Sequence, residues 1–230
     1  MALFGLIGFG LILAAIYAPQ YWVKYTMQKH AVPRPDFPGS GGELAKHLIE
    51  EFKLDGVNVE QADEGIGDHY DPESRTVRLS AQNYNDASLT AVAVASHEVG
   101  HALQHARGDG GLALRQTLVK YAMVTDKMAA IFFIAAPFLF AAVRAPAAIF
   151  AMVAIGILFM AIRVVVHLVT LPVEYDASFK KALPILEQGN YLHPDDIKGA
   201  RSVLKAAALT YVAASLMSLL NLARWIRVLR

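Results

Sequence analysis

Four stretches of the chain carry no Asp, Glu, Lys or Arg: Ala2 to Val23, Met128 to Val143, Ala145 to Ile162 and Ala206 to Ala223. A membrane-spanning helix needs roughly 17–25 mostly apolar residues. The first stretch meets that length, and the third and fourth reach its lower end. The second is short unless residues flanking Ala129-Ala130-Ile131-Phe132-Phe133-Ile134 extend it. Charge begins only after the first stretch, at Lys24 and Lys29, which reads as an uncleaved anchor. The second and third stretches are separated by Arg144-Ala145-Pro146 and its neighbours. So short a link predicts an antiparallel helical hairpin.

Between the apolar stretches the pattern changes. Pro33 to Gly42 is rich in Pro and Gly and reads as a linker. Glu43 to Lys53 predicts an amphipathic helix with Leu44, His47, Leu48 and Phe52 on one stripe. Val57-Asn58-Val59 and Thr76-Val77-Arg78-Leu79-Ser80 alternate and predict short strands, while Gly65 to Pro72 is loop-like until Tyr70. Ser88 to Ala106 predicts a helix, capped by Asp86 or Ser88 and ended near Gly108. Its first half, Leu89 to Ala95, is nearly all apolar, so that helix should be buried.

The expected fold class is therefore mainly α: an integral membrane helical bundle of three or four apolar segments, with a small β element. The expected organisation is an anchor at 1–23, a linker at 24–42, a catalytic segment at 43–127, a transmembrane hairpin at 128–178, and C-terminal helices at 179–230 that include the apolar segment 206–223.

Composition supports a membrane reading and narrows the chemistry. The chain has 230 residues, 55% of them hydrophobic, with mean hydropathy +0.37. That is too apolar for an ordinary soluble domain. Net charge is +1, so nothing electrostatic favours a nucleic-acid partner. Cysteine is absent, which excludes disulfides and thiolate metal ligands and fits a reducing compartment.

The chemistry centres on His97-Glu98-Val99-Gly100-His101. On a helix, residues four apart share a face. The two imidazoles can then hold one zinc ion, and Glu98, beside the first, can act as general base on a water. A catalytic zinc site usually takes three protein ligands. His105 continues the spacing but lies about 12 Å along the helix from His97, too far to share the ion. His69 and Glu174 remain. Helical spacing favours Glu174, because Arg163, His167, Thr170 and Glu174 form one polar stripe, approximate where Pro172 interrupts it. Asp176 is placed to accept a hydrogen bond from a ligand histidine.

Gly67-Asp68-His69-Tyr70-Asp71-Pro72, Val77 to Ser80, Ala95 to Gln104 and Leu171 to Ser178 together resemble the YugP-like neutral zinc metallopeptidases of bacterial membranes. The resemblance covers nearly the whole chain. It implies a gluzincin-type site with one zinc ion per chain, Glu174 as third ligand, and hydrolysis of peptide bonds.

Under that reading Glu98 is the base, and His69, Tyr70 or Arg75 donates to the oxyanion. Thr76 to Ser80 offers a strand edge for an extended substrate. The expected partners are a peptide or membrane-protein substrate and the lipid bilayer. The expected location is the bacterial inner membrane, multi-pass. The balance of Lys and Arg puts the site on the cytoplasmic side, against the vote of Arg224, Arg227 and Arg230. The rival readings are a zinc-binding membrane scaffold without chemistry and a hydrolase of a non-peptide amide. Glu98 argues against the first, since a structural zinc needs no base.

Overall fold

In chain order the elements are helix α1 (Ala2–Lys29), α2 (Gly41–Glu51), strands β1 (Asn58–Gln61), β2 (His69–Asp71) and β3 (Thr76–Leu79), helices α3 (Ala81–Asn85), α4 (Leu89–Ala106), α5 (Gly110–Val143) and α6 (Pro146–Tyr175), a π-helical segment (Asp176–Ala182), α7 (Leu183–Gln188), a 3-10 turn (Pro194–Asp196) and α8 (Ile197–Val228). This computed structural model describes residues 2–143 and 146–228. It describes backbone only at 2–9, 11–13, 15–16, 126, 129, 133, 136–137, 139–143, 146–150, 153, 157, 160–161, 163–164, 214–215 and 217–228.

Among the described residues, no helix is long and apolar enough to cross a membrane. The integral membrane bundle expected from the charge-free stretches is therefore corrected to a mainly helical fold with one small sheet. The multi-pass placement and its choice of side lose their basis with it. A run without charges shows that a helix is apolar, a pattern shared by helices packed against protein, so run length alone misleads. The link at 144–145 and the side chains of Arg144, Arg163, Arg224, Arg227 and Arg230, which entered the hairpin, stripe and charge readings, lie outside the described residues.

Two compact units partition the chain. One comprises residues 1–19, 114–170 and 211–230, the other residues 20–113 and 171–210. In the first, Phe132 of α5 and Phe159 of α6 meet with ring centroids 5.8 Å apart. There Tyr211 of α8 accepts a 2.6 Å hydrogen bond from Arg115 and packs its ring 5.6 Å from that of His167.

The second unit holds all of α2, the sheet and α4. α2 starts with a capping box: Ser40 Oγ accepts from the Glu43 amide at 3.2 Å, and Glu43 accepts from the Ser40 amide at 2.7 Å. Its buried face is Gly41, Gly42, Ala45 and Leu48. Leu48 was expected there, but His47 and Phe52 are exposed. The glycines allow a close helix contact that a count of large apolar residues overlooks.

The sheet has the order β1-β3-β2. β3 runs parallel to β1 and antiparallel to β2, with Tyr70 opposite Val77. Thr76–Leu79 is thus the central strand, paired on both sides. The edge expected there for a substrate is not available, because alternation reports which face is buried but not strand order. Asp68 pins the loop before β2. Its carboxylate accepts from the Ser80 amide at 2.7 Å and from Asn83 Nδ2 at 2.9 Å.

α4 lies in the middle of this unit, buried from Leu89 to Gln104. Of the two caps considered, Ser88 is the one used, its side chain accepting from the Ala91 amide at 3.2 Å. Gly108 follows the last turn with φ +66°, a left-handed conformation that glycine adopts without strain. Val92, Val99 and Leu103 join Leu48, Val77, Leu79, Leu186 and Leu204 in one apolar core.

Candidate metal centre

α4 places His97 and His101 one turn apart on a single face, with ring centroids 4.8 Å apart. Glu174 approaches from the last turn of α6, which continues past Pro172 to Tyr175. Its Oε2 lies 3.3 Å from His97 Nε2 and 3.3 Å from His101 Nε2. One donor atom from each residue falls within 4.8 Å of the others. Among the described residues, no other group of three His, Asp or Glu side chains converges so closely. Glu98, next to His97, is also buried.

The segment after α6 is not an α-helix. Asp176–Ala182 winds as a π-helix of 7 residues, a geometry found mostly in single turns, often at functional sites. It packs closely against α4 at Gly100. A Cβ added at Gly100 would sit 2.8 Å from the Ala177 carbonyl oxygen. The glycine between the two histidines therefore lets the Glu174 side of the cluster reach the His side.

Each histidine also has a partner at its other nitrogen. Ser178 Oγ lies 2.9 Å from His97 Nδ1 and donates to the Leu204 carbonyl at 3.0 Å. Gln104 Oε1 lies 2.8 Å from His101 Nδ1. Gln104 Nε2 donates to the Val173 carbonyl at 3.0 Å and to Asp176 Oδ2 at 2.8 Å. Asp176, expected to touch a histidine, reaches one only through Gln104. It also pairs with Lys181 and, at 3.9 Å, with Lys180. Burial pushes the Asp176 carboxyl up, but the hydrogen bonds from Lys181 and Gln104 outweigh it, and it sits below the usual carboxylate range.

Gln104 and Ser178 were missed as participants, although helical spacing held the signal. Gln104 is three residues beyond His101 and Ser178 four beyond Glu174.

His69 and Tyr70, two of the three oxyanion candidates, make hydrogen bonds outside the cluster. His69 Nδ1 donates to the Gly67 carbonyl at 2.9 Å. The Tyr70 hydroxyl lies 2.8 Å from His105 Nδ1, and burial raises the phenol above its ordinary pKa although Arg75 pulls the other way. Arg75 is exposed and lines a cavity of about 270 Å³ with Tyr70, Ala102 and His105.

The donor set fits zinc. Bonds of about 2.0–2.1 Å around a tetrahedral ion put neighbouring ligand atoms about 3.3 Å apart. That is the separation of Glu174 Oε2 from each imidazole nitrogen. A carboxylate only 1% exposed, like Glu174, calls for positive charge beside it.

The comparisons agree with this chemistry. The family described as "Putative neutral zinc metallopeptidase" matches residues 5–230, and the chain belongs to that family. The chain is 35% identical over 209 residues to the "Putative membrane protease YugP" of Bacillus subtilis (strain 168), covering 91% of this chain and 89% of the relative. No solved structure matches the chain.

Proposed function

We propose that the protein is a zinc-dependent endopeptidase. His97, His101 and Glu174 hold one zinc ion per chain, and Glu98 is the general base. The observation that carries this reading is the convergence of two imidazole nitrogens and a carboxylate oxygen in a buried cluster, on the helix that carries Glu98. A zinc ion held there supplies Lewis acidity, bringing the pKa of a water toward neutrality and polarising a carbonyl.

The chain's own residues do the rest. α4 fixes Glu98 within the same turn as His97, so its carboxylate accepts the proton of the attacking water. The same carboxylate then returns a proton to the leaving amine. Burial of the cluster keeps bulk water from competing for these hydrogen bonds. In this reading the oxyanion donor is drawn from His69, Tyr70 and Arg75, of which Tyr70 is already oriented by His105.

The substrate is a polypeptide. A bacterial membrane as the place of work rests on the relative's name alone, and cell fractionation with carbonate extraction tests it.

The deciding experiment compares wild type with Glu98→Gln in metal content and in cleavage of an unfolded test protein. The expected result is about one zinc per chain in both, with turnover reduced by about 10²–10⁴-fold in the variant. Equal cleavage by both would remove Glu98 as the base. Zinc in both with cleavage in neither would favour a binding module.

A further inference from the structure

The hydrogen bonds around the cluster bear on which ring nitrogen carries the proton. A serine hydroxyl has one proton and a carbonyl only accepts. Ser178 spends its proton on the Leu204 carbonyl, so its oxygen meets His97 Nδ1 with lone pairs alone. His97 must therefore carry its proton on Nδ1. The Gln104 amide is oriented by the same logic. Its nitrogen faces two acceptors, the Val173 carbonyl and Asp176 Oδ2. A flipped amide would set oxygen against oxygen at both. The oxygen end thus faces His101 Nδ1, which must be the donor. Lys181 holds the Asp176 oxygen that Gln104 uses.

When such a ring is neutral, as metal binding requires, the remaining nitrogen, Nε2, carries the lone pair. Both Nε2 atoms lie 3.3 Å from the same Glu174 oxygen. The polypeptide thus aims three ligand atoms at one point.

We propose that Ser178 and Gln104 are positioning residues that lock His97 and His101 in the Nδ1–H tautomer and so create the metal-accepting face of the site. This rests on the zinc reading above. Ser178 does so from the π-helical segment and Gln104 from α4, with Asp176 and Lys181 bracing Gln104. Neither residue contacts the reacting atoms in this role. They act through the ligands, as hydrogen-bond partners of metal-bound histidines generally do.

The test uses the full-length protein with Ser178→Ala and Gln104→Met. Zinc affinity is measured by competition with a chromogenic chelator, and long-range proton–nitrogen NMR of the zinc-loaded protein reports which ring nitrogen carries the proton. Ser178→Ala should weaken zinc about 10–100-fold and remove the exchange protection of the His97 Nδ1–H. Gln104→Met should do the same at His101. A packing role for Gln104 predicts instead that Gln104→Met, neutral and of similar length, keeps the wild-type zinc affinity.

Unchanged affinity in Ser178→Ala or in Gln104→Met would overturn the proposal. Should Gln104→Met fail to fold, Ser178→Ala decides alone, because it removes a single oxygen atom. Wild-type protein that binds no zinc would instead overturn the zinc reading itself.

Discussion

Helix α4 and the segment around Glu174 bring donor atoms to the same buried cluster by different means. α4 is a regular helix, capped by Ser88 and buried along its length. Its two histidines meet because four residues make about one turn. The other side begins at the end of α6, runs past Pro172 and then winds as a π-helix. Glu174 comes from the last α-helical turn, while Ser178 and the Asp176–Lys181 pair lie in the wider π turn that follows. Half of such a site can therefore be written in spacing while the other half is written in packing.

The sharpest way to break the comparison is to remove one donor from each side. His101→Ala and Glu174→Ala should both abolish tight zinc binding, read by chelator competition on purified protein. If Glu174→Ala kept wild-type affinity, the π-side would be scaffold only and the two halves would not be equivalent. The next largest effect tests the seam between them. Gly100→Ala drives a Cβ to 2.8 Å from the Ala177 carbonyl oxygen, and such overpacking typically costs about 1–3 kcal/mol. Urea unfolding should show that loss, accompanied by weaker zinc binding. A stable variant with unchanged affinity would mean that the two backbones can separate without harm.

Smaller effects separate the halves further. Ser88→Ala removes the α4 cap and should cost about 1 kcal/mol in urea unfolding. Zinc affinity should stay close to wild type, because the cap lies far along the helix from His97. Lys181→Met removes a brace of Asp176 and should act the other way, with little change in unfolding and a few-fold weaker zinc binding. If the two variants changed the same property, the distinction between a spacing-built and a packing-built half would collapse.

That distinction also explains what could be read beforehand. The His97–His101 spacing and the cap at Ser88 follow from the 3.6-residue helical period and were legible, and Glu174, favoured on the same spacing, does converge with the two histidines. Gln104 and Ser178 obeyed the same period but carried no metal-ligand chemistry to draw notice. The π-turn was illegible, since no residue from Asp176 to Ala182 signals a turn wider than that of an α-helix. Strand order was illegible too, for β3 alternates as an edge strand would. The charge-free stretches said more than they could support: they reported apolar helices, and among the described residues none is long and apolar enough to cross a membrane.

The π-helical segment also sets a rule about chain length. A π turn holds about one residue more than an α turn, in which each residue turns the chain by about 100°. Deleting one residue between Ser178 and Leu183 would let the segment relax to ordinary α-helical winding, and the lost residue and the tighter turn would nearly cancel. Leu183 and Leu186, both buried in the core, would keep their facing. An insertion has no such compensation and would rotate both leucines out of the core. The interval from Glu174 to α7 is therefore a spacer that can lose one residue but not gain one.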